Sequence, residues 1–279
     1  MNSTRRKLAI ATWSSPREGN IYGKLVMDAG EAVAYVEHLR KTTGEKVTVG
    51  HIVGKAAAMA MKAAPGLNGR IVLGKYVPHE TVDVTFLVAL EDGRDLAKTK
   101  IPSADEKSVA DIAKALAEGA GKLRGGKDAD FEKSKGIVRA LPSWLLKPML
   151  WTTGFLTGSL GLAAFGLEPF PFGSCVITNV GAFGVDEGYA PPTPFARVPV
   201  LILVGAVRDQ PAVVAGKVVP RPLVTITATV DHRFIDGAQL GQLAKVLRKG
   251  FEEPWTLDGL TKAPWATSDA PEVHATNGG

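Results

Sequence analysis

Asp231-His232-Arg233-Phe234-Ile235-Asp236-Gly237 joins an apolar, β-type run (Leu223 to Val230) to a helical run (Ala238 to Leu247). A histidine at such a junction is held at the mouth of a strand, partly withdrawn from water. Its unperturbed pKa of ~6.5 lets it be neutral yet basic near neutral pH, which suits a general base. Asp236 follows four positions later, with Gly237 beside it. Taken alone, these residues also fit a hydrogen-bonded structural histidine and an Asp236 helix N-cap, since a carboxylate accepts from the free N–H groups of a first turn.

Working outward, further blocks fall into one pattern. They are Arg5-Arg6-Lys7-Leu8-Ala9 near the start, Lys55-Ala56-Ala57-Ala58-Met59-Ala60-Met61-Lys62 with Pro65-Gly66-Leu67-Asn68, Asp105-Glu106-Lys107-Ser108-Val109-Ala110-Asp111-Ile112-Ala113, and Val176-Ile177-Thr178-Asn179-Val180-Gly181-Ala182-Phe183-Gly184. Together with the His232 block they resemble the catalytic domain of the dihydrolipoyl acyltransferases of 2-oxoacid dehydrogenase complexes, whose fold chloramphenicol acetyltransferase shares. Order and spacing agree from about residue 5 to about residue 253, apart from one insertion.

The resemblance implies an α/β (α+β) sandwich, a mixed sheet flanked by helices, assembled as a homotrimer and in relatives into larger cubic or dodecahedral cores. It implies acyl transfer between coenzyme A, used as acyl-CoA, and a thiol, with His232 as the base. The histidine's own backbone carbonyl would hold its Nδ1 hydrogen. Thr178 stands where the family has a hydroxyl, usually Ser, that binds the oxyanion; read alone, it is equally a good β-branched strand residue. Asp236 would orient the catalytic loop by pairing with Arg5 or Arg6, Arg233 would have a similar structural role, and Gly237 would allow a tight turn. Thr178 and His232 would meet across a subunit interface.

Composition sets the outer bounds. Hydrophobic residues make up 45% of 279 residues, which suits a packed core rather than a disordered chain. The net charge of +5 comes from lysines and arginines interspersed with acids, a pattern of solvated surface rather than of nucleic-acid binding. Cys175 is the one cysteine and sits in an apolar run, reading as a buried thiol; Cys/His spacing for zinc is lacking, so no metal is expected. The start of the chain lacks an apolar signal core, which favours the cytoplasm.

The periodicity predicts a strand over Ile21 to Met27, then a helix to about Arg40 opened by Asp28 and Glu31 in capping-box fashion. Thr48 caps a second helix with Ile52, Ala56, Met59 and Ala63 on one face, ended by Pro65. Strands follow at Ile71–Leu73 and Val82–Leu90, with a turn at Glu91-Asp92-Gly93. A helix striped by Val109, Ile112, Leu116 and Leu123 ends at Gly125-Gly126. Later strands are predicted at Ser174–Val180, Val198–Val207, Ala212–Val219 and Leu223–Val230, with a hairpin turn at Ala215-Gly216. A last helix follows Asp236 and stops at Pro254. Residues 1–260 read as the catalytic domain and 261–279 as a tail.

Three departures from the family pattern stand out. The chain carries no lipoyl or subunit-binding domain, so the lipoyl group would come from a separate protein working with dehydrogenase subunits. Gly93-Arg94-Asp95-Leu96-Ala97-Lys98-Thr99-Lys100 replaces an apolar segment and would alter an edge of the substrate channel. Residues of about 131–172 form an insertion whose Met149 to Leu167 run holds nineteen residues without a charge. That length approaches a membrane span, yet four glycines and a Gly154/Gly158 small-x-x-x-small pair favour a packed helical element; membrane contact through 144–167 stays open. So do two other functions: a cage-forming scaffold with little catalysis, and an acyltransferase with a non-lipoyl acceptor.

Overall fold

The structure is a computed structural model that describes residues 19–90, 95–125, 136, 141–235 and 237–265. Strand β1 (Asn20–Asp28) leads into helix α1 (Gly30–Thr43) and helix α2 (Val49–Ala63). A small hairpin of β2 (Gly69–Val72) and β3 (Lys75–Pro78) follows, then β4 (Val84–Leu90), β5 (Asp95–Ile101) and α3 (Val109–Arg124). The insertion contributes α4 (Ser143–Gly154). The second half supplies β6 (Cys175–Asn179), β7 (Val200–Val204), β8 (Arg208–Val214), β9 (Lys217–Asp231) and α5 (Gly237–Glu252).

Among the described residues, seven strands form one mixed sheet in the order β1-β9-β7-β6-β4-β5, with β8 paired to the first part of β9. β4, β6 and β7 run parallel, while β9 runs antiparallel to β7 and β1. The β8–β9 connection is the two-residue turn expected at Ala215-Gly216, with φ of 50° and 77°. Positive φ at both central residues matches the right-handed twist of the strands it joins. β9 continues unbroken through fifteen residues, so the two runs predicted at its ends are one strand.

Period two sorts each strand between two faces. Val224, Ile226, Ala228 and Val230 join Cys175, Ile177, Val200 and Ile202 in the main core beneath α1, α2, α3 and α5. Burying such a side chain is worth about 1.5–3 kcal/mol. The other face carries Val176 and Leu201, covered by Ala196 and Val198.

Several elements differ from expectation for local reasons. Helix α2 is buried nearly all round, Gly50 to Ala58 included, rather than along one stripe, because it lies between the sheet and α5. Asp28 does not form a capping box with Glu31. Its Oδ1 accepts the Gly30 N–H at 2.8 Å, and its Oδ2 pairs with Arg221. Ser108 and Asp111 do form one at the start of α3: the Asp111 N–H donates to the Ser108 hydroxyl at 3.0 Å. Strand β3 has only four residues and ends on Pro78, which gives too short a run for alternation to mark it. The turn at 91–94, Gly126 and residues 266–279 lie outside the described residues. Within the stretch read as tail, Trp265 lies against Tyr35 and Trp255.

Candidate active site

His232 follows the last residue of β9, and its N–H donates to the Gly19 carbonyl at 3.1 Å. Its Nδ1 lies 2.8 Å from the carbonyl oxygen of Ile235. A carbonyl can only accept, so this contact requires the hydrogen on Nδ1 and leaves the Nε2 lone pair free on the neutral ring. The tautomer is the one a base needs. The partner, however, is the carbonyl three residues on, where the turn folds it back, and not the histidine's own. The ring is exposed in the single chain rather than withdrawn from water.

Arg233 does have a structural partner. Its Nε lies 3.0 Å from both carboxylate oxygens of Asp231, closing the turn around the histidine. Asp236, Arg5 and Arg6 lie outside the described residues, so the expected pairing among them has no geometry here. Gly237 is the first residue of α5; its φ is not positive and a Cβ there would meet nothing within 4 Å. The turn does not require a glycine at that position.

Thr178 sits half-buried near the end of β6, on the face with Val176, opposite to the main helices. It pairs with Leu203, which in turn pairs with Thr227 of β9. Two strand spacings of ~4.8 Å and the five residues from Thr227 to His232 at ~3.3 Å each separate Thr178 from His232 by roughly 19 Å. The two therefore lie toward opposite ends of one sheet. No side chain spans that gap, and within one chain they are not brought together.

Each end of the sheet has a cleft. One, of about 250 Å³, is bordered by Asp231, Arg233 and Phe234 of the His232 turn and by Trp151 of α4. The other lies at the end of β6 and is lined by Asn179, Gly181, Thr48 and Arg208. Sequence reasoning missed Trp151 and Thr229 as lining residues. Their signals were faint: a tryptophan in an apolar run, and the Thr225-Thr227-Thr229 alternation within a strand otherwise read as apolar.

The insertion is stitched down rather than free. After α4 the chain makes one wide π-type turn over Phe155–Ser159, with Thr157 donating to the Thr153 carbonyl at 2.9 Å. A Cβ at Gly154 would sit 2.4 Å from the Phe195 carbonyl oxygen, and one at Gly158 3.3 Å from the Arg197 Cβ. The small-residue pair thus admits the 195–197 backbone. Lys98 donates to the Pro171 carbonyl at 2.8 Å and Lys100 to the Phe170 carbonyl at 3.3 Å. The polar residues of β5 hold the irregular segment by which the insertion returns to β6. Among the described residues no helix is long and apolar enough to cross a membrane.

Comparison with known proteins agrees with this architecture. A probable dihydrolipoamide acetyltransferase from Listeria monocytogenes superposes with a TM-score of 0.66 at 20% identity, over 93% of this chain and 92% of that one. The cubic core of the pyruvate dehydrogenase multienzyme complex gives 0.63 at 21%, over 86% and 84%. These likenesses define an acyltransferase-core fold. The model of the 2-oxoacid dehydrogenases acyltransferase catalytic domain matches residues 4–137 and 166–258. The chain belongs to that family.

Two curated relatives are a probable succinyltransferase component of the 2-oxoglutarate dehydrogenase complex from Schizosaccharomyces pombe and an acetyltransferase component of the acetoin cleaving system from Bacillus subtilis. The first is 27% identical over 79% of this chain and 40% of its own length, the second 28% over 77% and 44%. The chain thus spans less than half the length of either relative. The family match leaves out 138–165, the segment that carries α4 and the π-type turn.

Proposed function

We propose that the protein is a coenzyme A-dependent acyltransferase that moves an acyl group between acyl-CoA and a thiol, with dihydrolipoamide on a separate lipoyl protein as the acceptor. The observation that carries this reading is the His232 tautomer: Nδ1 committed to the Ile235 carbonyl, Nε2 free. Nε2 takes the proton of the attacking thiol. The thiol sulfur bonds to the thioester carbon, the tetrahedral oxyanion collapses, the bond to the coenzyme A sulfur breaks, and the proton passes to the departing thiolate. A thiol of pKa ~8.5 is mostly protonated at neutral pH, so this assistance matters.

Thr178 supplies the hydroxyl that donates to the oxyanion, a contact typically worth ~2.7–4 kcal/mol of barrier. The ~19 Å between it and His232 within a chain supports a site built from the His232 end of one subunit and the Thr178 end of another. A homotrimer supplies such an interface. Relatives named as components of dehydrogenase complexes, and a neighbour that is a cubic core, support assembly with further subunits. Asp236 keeps its orienting role in this reading, with Arg233 bracing the turn through Asp231.

The test is transfer from acyl-CoA to dihydrolipoamide, followed by release of free coenzyme A. The native protein is expected to catalyse it and His232→Ala to lose it by about 10²-fold or more. Transfer unaffected by His232→Ala would overturn the reading; a stable oligomer with no transfer to lipoamide or to alcohol and amine acceptors would favour the scaffold.

A further inference from the structure

The cleft beside the His232 turn has a wall that the family match does not cover. Trp151, from α4, faces Leu73, Leu201 and Phe234 across it. Trp151 is 41% exposed, and the helix that carries it is held in place: one turn further along α4, Gly154 packs against the Phe195 backbone, and Arg197 donates to the Ser159 hydroxyl at 2.9 Å. A second, independent feature marks the same cleft. Thr229 lines it, is 1% exposed, and its hydroxyl has no hydrogen-bond partner among the described residues. Burying a hydroxyl without a hydrogen-bond partner destabilises the fold unless a ligand supplies one. Thr227, two residues before it on the same face, does have a partner in the Gly188 carbonyl.

A cleft of about 250 Å³ is larger than it need be for an acetyl group. A cavity of ~150 Å³ suffices for benzene. Pockets for small ligands combine apolar walls with a few placed polar groups; this one sets Trp151, Leu201 and Phe234 beside Asn20, Asp231 and Arg233, with the buried Thr229 hydroxyl unmatched among the described residues.

We propose that the insertion makes this cleft an acyl pocket, so that the protein selects thioesters of aryl or branched acyl groups, with Trp151 as the size-selecting wall and Thr229 donating to an oxygen of the ligand. This deepens, and rests on, the acyl-transfer reading. The reaction is unchanged: one carbon–sulfur bond forms to the acceptor, one breaks to coenzyme A, and the thiol proton ends on the coenzyme A sulfur.

Two measurements on the full chain separate the two ideas. In the first, kcat/KM for transfer to dihydrolipoamide is compared for acetyl-, succinyl-, isovaleryl- and phenylacetyl-CoA. The bulky apolar thioesters are expected to lead, and Trp151→Ala to cut the phenylacetyl-to-acetyl ratio about tenfold, the scale of one or two apolar contacts, with Trp151→Phe restoring most of it. In the second, calorimetry compares coenzyme A with S-phenacyl-CoA, in which a methylene between sulfur and carbonyl prevents transfer. S-phenacyl-CoA is expected to bind about tenfold more tightly, with that preference lost in Trp151→Ala and reduced in Thr229→Val.

An acetyl or succinyl preference with active transfer, or a phenylacetyl-to-acetyl ratio indifferent to Trp151, would overturn the pocket and leave the transfer reading intact. Binding of S-phenacyl-CoA no tighter than coenzyme A would also overturn it. If no thioester is transferred while S-phenacyl-CoA retains its Trp151-dependent advantage, the pocket stands and the transfer reading falls.

Discussion

The Arg70 Nε donates to the carbonyl oxygen of Ser159 across 3.0 Å, tying strand β2 to the far end of the insertion. The same guanidinium lies over the Phe170 ring, 4.5 Å from its centroid. Lys98 and Lys100 hold Pro171 and Phe170 just beyond the segment 138–165 that the family match leaves out, so three cations of the core anchor its return. Arg70→Ala is expected to cost about 1.5–3 kcal/mol, the range for a hydrogen bond to a charged group. Urea unfolding measures that loss, and faster amide exchange confined to α4 and the π-type turn would locate it. Unchanged exchange there would show that the insertion is held by its apolar contacts alone.

The hydroxyl at position 178 can be isolated by a paired substitution. Thr178→Ser keeps the donor and is expected to retain transfer within a few fold. Thr178→Ala removes it and is expected to lower kcat by about 10²–10³ with KM little changed, as for loss of one oxyanion donor. Equal effects of both changes would mean that the methyl group, not the hydroxyl, is what the site uses.

Separation of Thr178 and His232 within a chain gives a complementation test. Neither His232→Ala nor Thr178→Ala protein is expected to be active alone. Refolded together in equal amounts, about one interface in four combines an intact His232 with an intact Thr178 on symmetric assembly. Recovery of activity toward that fraction supports a shared site. Mixed oligomers, verified by mass, without recovery would place both groups' work within one chain.

His51 links stability to pH. Burial, with the positive charge of Arg40 adding to it, lowers its pKa to about 4. The geometry agrees: Nδ1 accepts the Thr48 N–H at 3.0 Å, so protonation there would remove a cap at the start of α2. The folded state prefers the neutral ring, whereas the unfolded chain protonates near ~6.5. The resulting stability is complete above pH ~6.5, declines as pH falls, and is fully lost near pH 4, a total on the order of 3 kcal/mol. Gln at the third position of a capping box accepts the same N–H without titrating. His51→Gln is therefore expected to flatten the urea midpoint between pH 6.5 and 4; an unchanged slope would assign it elsewhere.

Much of the fold was legible because strands and helices here obey their own periods. The hairpin at Ala215-Gly216 and the cap at Thr48 were readable from a few residues each. What escaped reading depended on contacts distant along the chain. The cations of 93–100 look like a disruption of an apolar segment until Lys98 and Lys100 are seen reaching Pro171 and Phe170, some seventy residues away. Two apparent departures are thus one feature: an insertion and the polar strand that receives it. The Gly154/Gly158 spacing correctly signalled close packing, but its partner is the loop at Phe195 to Arg197 rather than another helix. At the site, the resemblance implied that His232 and Thr178 meet across an interface, but that they lie toward opposite ends of one sheet follows only from its strand register. Thr229 stayed hidden because a lone hydroxyl in a strand is informative only once its missing partner is known.

The single cysteine acquires a meaning from the chemistry around it. Cys175 is wholly buried in β6, and burial pushes its thiol well above the usual range, so thiolate is scarce and access is closed. Disulfide exchange needs both. In the proposed transfer both thiols, lipoyl and coenzyme A, can oxidise, and a buried, protonated Cys175 offers neither of them a partner for a mixed disulfide. The protein should keep its activity after prolonged incubation with oxidised glutathione, and assays that titrate released thiols will count product and not protein.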